Sequence, residues 1–363
     1  MKLVIIGFIY FAIMYLKRKK VSTFACFLIV FIVMAFQSNV PGDFYTYAEN
    51  FIKYNQLGNN YNETEFGWYC LNRLFSFSDF FFFYLIVAFF EFWVLSKFTK
   101  KYVPRAYWLL PAILFFFDMN MMFFQMKGLR QALAIELGVL SIYSIGRGLS
   151  VKNVILSFGL ALLASSMHHT ALLIVGYILV YILIGKSKLL NKEIKLNPYW
   201  LSIVAVGLFY FIYTSKALLI NKWQPILMQL NLDGMEGYFG EMGTIEYSIL
   251  IDLIKGYFVF YVAYYIKYSY GIKRYMTLLC LLGLYMDMFL FGMGNLFRAT
   301  LYLTIFGLFV YPNVAFTLKL HNKKIESLLF IVFATAYAYS TFVTVSMRGM
   351  SDALDNYRFA IGI

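Results

Sequence analysis

Four side chains in the polar segments between apolar runs are candidates to move a proton. His168 and His169 are adjacent in a short turn, and Asp43 and Glu65 lie in a long polar segment nearer the N-terminus. Imidazole exchanges a proton near neutral pH, so a histidine here could act as a general base toward a hydroxyl group. Either carboxylate could instead be the base or bind hydroxyl groups, and a polar turn without catalytic work is the simpler alternative.

Two arginines stand at the beginnings of apolar runs. Arg130, followed by Gln131, and Arg298 occupy first-turn positions, where positive charge opposes the dipole of the predicted helix. A guanidinium group is a rigid fork of donors that fits phosphate oxygens, and helix N-termini attract anions. We therefore consider an anion site here, with Lys127 and Asn295 close by in sequence. The alternative is that both arginines extend to lipid headgroups.

Aromatic residues accompany the acids of the first long polar segment. Tyr47 follows Asp43, and Trp68 follows Glu65. Apolar spacing over residues 65–77 predicts a short helix at a membrane interface, where Trp and Tyr concentrate. Stacking on a ligand and simple anchoring in the interface are both open.

Four further acids fall inside apolar runs, where charge is costly: Glu91, Glu136, Asp252 and Asp287. We expect structural ion pairs, with Arg105 or Arg147 as partners of the first two. Asp252 has Lys255 three residues further on, which is a neighbouring position on a helix. A proton-coupled transporter is the function that such acids would otherwise support.

The elements that carry these groups are predicted to be membrane helices. Hydrophobic residues make up 62% of the 363 residues and charged residues only 13%, whereas soluble domains are near 25% charged. Only helices or closed barrels can cross hydrocarbon, and the apolar runs are continuous rather than alternating. We predict an all-α polytopic integral membrane protein with about 12 transmembrane helices. The predicted spans are residues 3–16, 21–38, 80–96, 106–122, 130–145, 153–167, 170–185, 199–215, 247–266, 275–292, 298–313 and 325–345.

Basic residues concentrate in alternate turns between these spans. The positive-inside rule makes those turns cytoplasmic, so the net charge of +13 indicates topology and attraction to anionic lipid rather than nucleic-acid binding. Both termini are then outside, as are the long segments 39–79 and 216–246 and the tail 346–363. The first span is predicted to be a retained helix, because its basic cluster follows the apolar run.

Residues 1–363 are predicted to form a single transmembrane domain, since no linker or repeat divides them. The three cysteines show no paired spacing. The three histidines form no metal-binding motif, so no metal is expected.

In this order, the polar motifs resemble the EpsG/Wzy group of polysaccharide polymerases. The resemblance covers residues 43 to 298 and rests on the order and shared outer side of the motifs. The motifs are Asp43 with Tyr47, Glu65-Phe66-Gly67-Trp68, Arg130-Gln131-Ala132-Leu133-Ala134, His168-His169-Thr170-Ala171-Leu172 and Asn295-Leu296-Phe297-Arg298.

The resemblance implies a GT-C-like membrane glycosyltransferase at the outer, periplasmic or extracellular face of the bacterial plasma membrane. Such a polymerase transfers a growing glycan between undecaprenyl-diphosphate-linked oligosaccharides, and undecaprenyl diphosphate leaves. No cofactor is expected. The implied partners are the lipid-linked donor and acceptor, membrane lipid and a chain-length regulator protein, with no nucleic acid.

The resemblance also implies roles for single residues. His168 matches the family's His-x-(Ser/Thr)-Ala-Leu position and is the expected base, whereas His169 fills its variable position. Asp43 and Glu65 match acidic positions and would orient the acceptor sugar or serve as the base instead. Trp68 stands where the family often has Tyr, which keeps an aromatic face but loses a hydroxyl. The expected set for diphosphate and sugar is Arg130, Arg298, Gln131, His169, Tyr47 and Trp68.

Two other classes stay open. A membrane O-acyltransferase that modifies glycans would also need a histidine base near one membrane face. A flippase or other transporter of lipid-linked oligosaccharide would use charged groups from face to face, whereas these motifs crowd one side. The product class, O-antigen, capsule or exopolysaccharide, is also open.

Overall fold

The computed structural model describes residues 2–17, 20–38, 43–55, 65–118, 121–122, 126, 128–229, 249–290, 298–345 and 358–359. This part of the chain is dominated by helices, as predicted. Three of its helices are long and apolar enough to cross a membrane: Phe80–Tyr102, Pro198–Ser215 and Arg298–Leu320. Shorter apolar helices cover Ile5–Leu16, Arg105–Phe117, Val151–Met167, His169–Ile184 and Leu253–Ile266.

The chain divides into two compact units, of which the first contains Met1–Ile182 and Thr335–Ile363. Its elements, in chain order, are Lys2–Leu16 (α1), Thr23–Cys26 (α2), Leu28–Ala35 (α3), Gln37–Ser38 (β1), Asp43–Asn55 (α4), Phe66–Leu74 (α5), Phe80–Tyr102 (α6), Leu109–Phe117 (α7), Leu129–Ile145 (α8), Val151–Met167 (α9) and Leu172–Ile184 (α10). Short 3-10 helices cover Arg105–Tyr107 and His169–Ala171. The predicted helix within residues 65–77 is confirmed as α5.

The second unit contains Leu183–Ala334. Its elements are Lys188–Asn191 (α11), Pro198–Gln229 (α12), Ile249–Ile266 (α13), Gly271–Leu290 (α14), Leu301–Thr304 (α15), Gly307–Leu320 (α16) and the first half of Lys324–Val345 (α17). A two-residue strand, Arg358–Phe359 (β2), belongs to the first unit and pairs antiparallel with β1. Because α12 continues to Gln229, the predicted outer segment 216–246 begins as helix.

Polar side chains fix the ends and contacts of the helices in the first unit. The carboxylate of Asp79 caps α6 by accepting a hydrogen bond from the backbone N–H of Phe82 at 2.7 Å. Ser141 of α8 and Ser157 of α9 each donate to the backbone carbonyl of the other, at 2.8 and 2.9 Å. Hydrogen bonds between small residues hold helices together where lipid provides no hydrophobic driving force.

Polar turns that were predicted to share the cytoplasmic side lie together in the second unit. Arg274, which is fully buried, donates to the carbonyls of Ile266 and Ser269 in one turn. It also donates to the carbonyls of Leu189 and Lys192 in another. These contacts satisfy carbonyls left open by helix ends, and they are as expected if both turns lie on one side of a membrane.

Among the buried acids, Asp287 forms an ion pair as predicted, whereas Glu91 does not. Lys255 pairs with Asp287 of the neighbouring α14, at 2.5 Å and with both residues buried. The side chain of Asp252, its predicted partner, lies outside the described residues. The prediction that Glu91 pairs with a basic residue is wrong, because neither of its carboxylate oxygens has a hydrogen-bond partner in the described part of the chain. Spacing along one helix says nothing about which neighbouring helix a side chain faces.

Candidate functional site

An acid, a cation and an imidazole from three separate predicted motifs meet in the first unit. One carboxylate oxygen of Glu65, Oε2, accepts a hydrogen bond from Nη1 of Arg130. The other, Oε1, lies 2.9 Å from Nδ1 of His168. Glu65 is only 7% exposed, whereas the side chains of Arg130 and His168 are 32% and 23% exposed. The buried carboxylate therefore joins two partners that still reach solvent.

Each of the three residues lies at a helix end. Glu65 precedes α5 and its carbonyl accepts from the backbone N–H of Tyr69, and Arg130 is the second residue of α8. His168 follows α9 with extended backbone angles, φ −158° and ψ 122°. The site therefore forms where the chain enters or leaves these helices.

Gly67 allows α5 to approach the end of α9. A Cβ atom at this position would lie 2.1 Å from Oγ of Ser166 and 2.9 Å from its backbone carbonyl carbon. Contacts this short do not occur, so no larger residue fits without moving a helix. Because Ser166 is two residues before His168 and Gly67 two after Glu65, this contact brings the carboxylate within reach of the imidazole.

The carboxyl group of Glu65 is ionised at neutral pH. Burial raises its pKa, but the hydrogen bond with His168 and the charge of Arg130 outweigh burial and lower the pKa from 4.5 to about 2. Both carboxylate oxygens also have partners. These properties suit a carboxylate that orients its neighbours better than one that collects a proton.

The bond to Glu65 also determines which nitrogen of His168 carries a lone pair. A carboxylate can only accept, so Nδ1 is assigned as the protonated nitrogen of the neutral ring. The lone pair then lies on Nε2, which is on the far side of the ring from Glu65. This is the tautomer in which a histidine can act as a base toward a substrate hydroxyl.

Of the predicted aromatic residues, Tyr47 contacts the cation and Trp68 packs behind Tyr47. The guanidinium carbon of Arg130 lies 5.8 Å from the centre of the Tyr47 ring, in cation–π contact. The Tyr47 ring in turn packs against Trp68 at 5.5 Å, and Trp68 packs edge-on against Phe83, also at 5.5 Å. Trp68 is only 1% exposed, so it neither anchors an interface nor offers a face to a sugar.

Two further predicted residues lie beside this cluster in sequence. Gln131, the neighbour of Arg130 on α8, is buried. His169 is exposed and begins the 3-10 helix that follows α9. The two adjacent histidines therefore differ: the structure brings His168 to the carboxylate and leaves His169 toward solvent.

The other predicted groups lie in the second unit or outside the described residues. Arg298 is exposed and opens the helical segment Arg298–Leu320 of the second unit. Asp43 is the first residue of α4, but its side chain lies outside the described residues. Lys127 and Asn295 lie outside them altogether.

Sequence reasoning missed the residues that support the site. Asn72, fully buried, donates from Nδ2 to the carbonyl of Trp68 at 2.7 Å and so stabilises the turn of α5 that follows Glu65. Gly67 was quoted only as part of a motif. The signal that could have identified it is a glycine between two large aromatic residues within a predicted helix, which is the pattern of a close helix contact.

Within the described residues, no three His, Cys, Asp or Glu side chains lie close enough together to hold a metal ion.

The apolar helices and the charged cluster at their ends define an α-helical membrane protein with a polar site where three of its helices begin or end. The sequence model of the EpsG family matches residues 20–359, and the chain belongs to this family, which comprises Wzy-type polysaccharide polymerases. Membership implies glycosyltransferase-type polymerase activity in polysaccharide biosynthesis. Comparisons with curated proteins and with solved structures give no match.

Proposed function

We propose that this protein joins undecaprenyl-diphosphate-linked oligosaccharide repeat units into a surface polysaccharide. The reaction takes place at the outer face of the bacterial plasma membrane, needs no metal and releases undecaprenyl diphosphate. Family membership supports the polymerase activity. The observation that carries the chemical step is the bond between Glu65 and Nδ1 of His168, since it prepares Nε2 to receive a proton.

In the proposed step, Nε2 of His168 takes the proton of the acceptor sugar hydroxyl. The hydroxyl oxygen then attacks the anomeric carbon of the donor glycan, and the bond from that carbon to the diphosphate oxygen breaks. Undecaprenyl diphosphate leaves with the bonding electron pair. The imidazolium ion that forms is stabilised by the Glu65 carboxylate, and its proton passes to water after product release.

Arg130 is the proposed partner of the departing diphosphate. That group already carries two negative charges and gains a third as the bond breaks, so without a metal it needs fixed cations. A guanidinium group has five N–H donors, enough to serve Glu65 and a phosphate group together. Glu65 and the Tyr47 ring hold the group in place before substrate arrives. Arg298, in the second unit, is proposed as a second cation for the carrier.

The proposal includes a topology. The chain crosses the membrane twelve times as a single transmembrane domain of GT-C-like architecture, with Glu65, Arg130 and His168 outside. The meeting of three groups predicted to be outside supports this assignment. The pairing of β1, at the end of the predicted span 21–38 that adjoins the outer segment 39–79, with β2 in the predicted outer tail also supports it.

The adjacent histidines provide the test. Purified protein supplied with lipid-linked repeat units should give a ladder of polymer on a gel, which neither an acyltransferase nor a flippase would form. We expect His168→Ala to abolish the ladder, because loss of a general base costs about 100- to 10,000-fold. His169→Ala is the matched control and should have a mild effect. Similar, near-normal ladders from both variants would move the base to Asp43.

A further inference from the structure

Two glutamates on neighbouring helices face each other deep in the first unit. Phe98 of α6 and Tyr143 of α8 are in contact, with ring centres 6.2 Å apart. Glu91 and Glu136 each lie seven residues earlier, about two helical turns, and so on the same faces of their helices. The two carboxyl groups interact electrostatically, as this register requires.

Both glutamates are removed from water. Glu91 is 1% exposed and Glu136 is not exposed at all. Each lies near the middle of its helix, far from the ends where polar groups collect. Both carboxylate oxygens of Glu91 lack a hydrogen-bond partner among the described residues. A buried ionised carboxylate without hydrogen bonds or a cation is strongly disfavoured.

The basic residues nearest in sequence are committed elsewhere. The ammonium group of Lys97 lies over the rings of Trp93, at 4.3 Å, and Tyr143, at 5.3 Å. Arg130 precedes Glu136 by about 9 Å along the helix axis and is bonded to Glu65. The short helices α2 and α3 and the helix α10 carry no Asp, Glu, Lys, Arg or His. The other charged or titratable groups on elements packed around the pair are the tyrosines of α4, α6, α8 and α10, together with Lys100 and Lys101 on α6, Lys152 on α9, His168 and His169 after it, Asp43, Glu49 and Lys53 on α4, and Cys26 on α2.

We propose that Glu91 and Glu136 form a proton-binding pair that holds at least one proton at neutral pH. A proton is the ligand that this geometry fits, because it removes the repulsion and allows one carboxyl group to donate to the other. Losing it would leave two negative charges in the contact between α6 and α8 and separate these helices. Since α8 begins beside Arg130, the protonation of the pair is coupled to the position of that arginine. The proposal does not depend on the polymerase reaction.

A hydrophobic carbodiimide is the probe, because it reacts with protonated carboxyl groups in apolar surroundings and spares ionised ones. The full-length protein in lipid vesicles is treated at neutral and at alkaline pH, and modified peptides are identified by mass spectrometry. We expect an adduct on Glu91 or Glu136 at neutral pH and a smaller yield at alkaline pH. Glu49, an exposed acid on α4, is the internal control and should stay unmodified.

The variants Glu91→Gln and Glu136→Gln keep the shape of the side chains without an ionisable group, so they should fold. The doubly substituted protein should lose the adduct and also the infrared carbonyl band of a protonated carboxyl group. No adduct and no such band in the parent would overturn the proposal. Protection of the parent from the carbodiimide by Na⁺ at constant pH would also overturn it, by assigning the pair to a metal cation.

Discussion

Replacing Glu65 with glutamine removes the charge that joins Arg130 to His168 while keeping the shape of the side chain. The amide oxygen can still accept from Nδ1 of His168. The other end then becomes an NH₂ group that faces Nη1 of Arg130, so two donors meet. We expect Glu65→Gln to displace the guanidinium group and to leave the imidazolium ion without a counter-charge during the reaction.

The size of the effect follows from the pKa of Glu65. Lowering this pKa from 4.5 to about 2 corresponds to about 3 kcal/mol in favour of the carboxylate. This is a net preference, to which the hydrogen bond with His168 and the charge of Arg130 contribute against the cost of burial, and it is large enough to allow a loss of about tenfold in rate. Solvent at the two partners, which are 32% and 23% exposed, screens part of it. We expect polymerisation to be at least about tenfold slower and the fold to lose about 1–2 kcal/mol.

The assay is the initial rate of ladder formation at matched protein level, together with thermal unfolding in detergent. Glu49→Gln, a change at an exposed acid of the preceding helix, is the control and should match the parent in both. Glu65→Asp restores the charge but is one methylene short of spanning both partners, so it should give an intermediate rate. Parental rates from Glu65→Gln would refute the role of this residue.

The same variant predicts a difference in acid stability. The folded-state pKa of Glu65 lies below the ordinary value of 4.5, so its contribution to stability is complete above pH 4.5. This contribution is lost as the pH falls toward about 2. The parent should therefore lose more stability than Glu65→Gln across this window, and equal losses would contradict the assignment.

Three further experiments test the site, its packing and the topology. Arg130→Lys and Arg298→Lys should each slow ladder formation by at least about tenfold, because a point charge cannot replace paired donors to a diphosphate; unchanged rates would favour contact with lipid headgroups. Gly67→Ala should lower stability by about 1–3 kcal/mol through overpacking, measured by thermal unfolding, and an unchanged midpoint would contradict the close contact. A cysteine placed at Ser187 should resist an impermeant thiol reagent in intact cells, while one at Asn60 should react; the reverse would invert the topology.

The helices could be predicted because a long apolar run must satisfy its backbone hydrogen bonds within itself, whether it lies in lipid or in the protein interior. Described helices coincide in order with the predicted spans. The prediction also selected Glu65, Arg130 and His168 as chemical groups, and these three meet. The sequence did not show that these three side chains are hydrogen-bonded to one another, because the partners of Glu65 are 65 and 103 residues away along the chain.

The errors have a common physical cause. An apolar face on a membrane helix packs equally well against lipid or against protein, so the pattern around Trp68 did not distinguish interface from interior. The same ambiguity affected Glu91. Helical spacing gives the direction in which a side chain leaves the helix axis, but it does not identify the neighbouring helix that the side chain faces. Glu91 lies as far before Phe98 as Glu136 lies before Tyr143. This equal spacing becomes informative only once the contact between Phe98 and Tyr143 is known.

The long sequence separation of the cluster has a consequence for biogenesis. While the chain is being made, Glu65 has neither of its partners until residue 130 has emerged, and it lacks His168 until α9 is complete. An isolated N-terminal fragment ending before that point would lack at least one of the two side chains that lower the pKa of Glu65. The site is therefore complete only after α9 has been made, and a chain arrested earlier in synthesis has helices in the membrane but no complete site with which to act on a substrate.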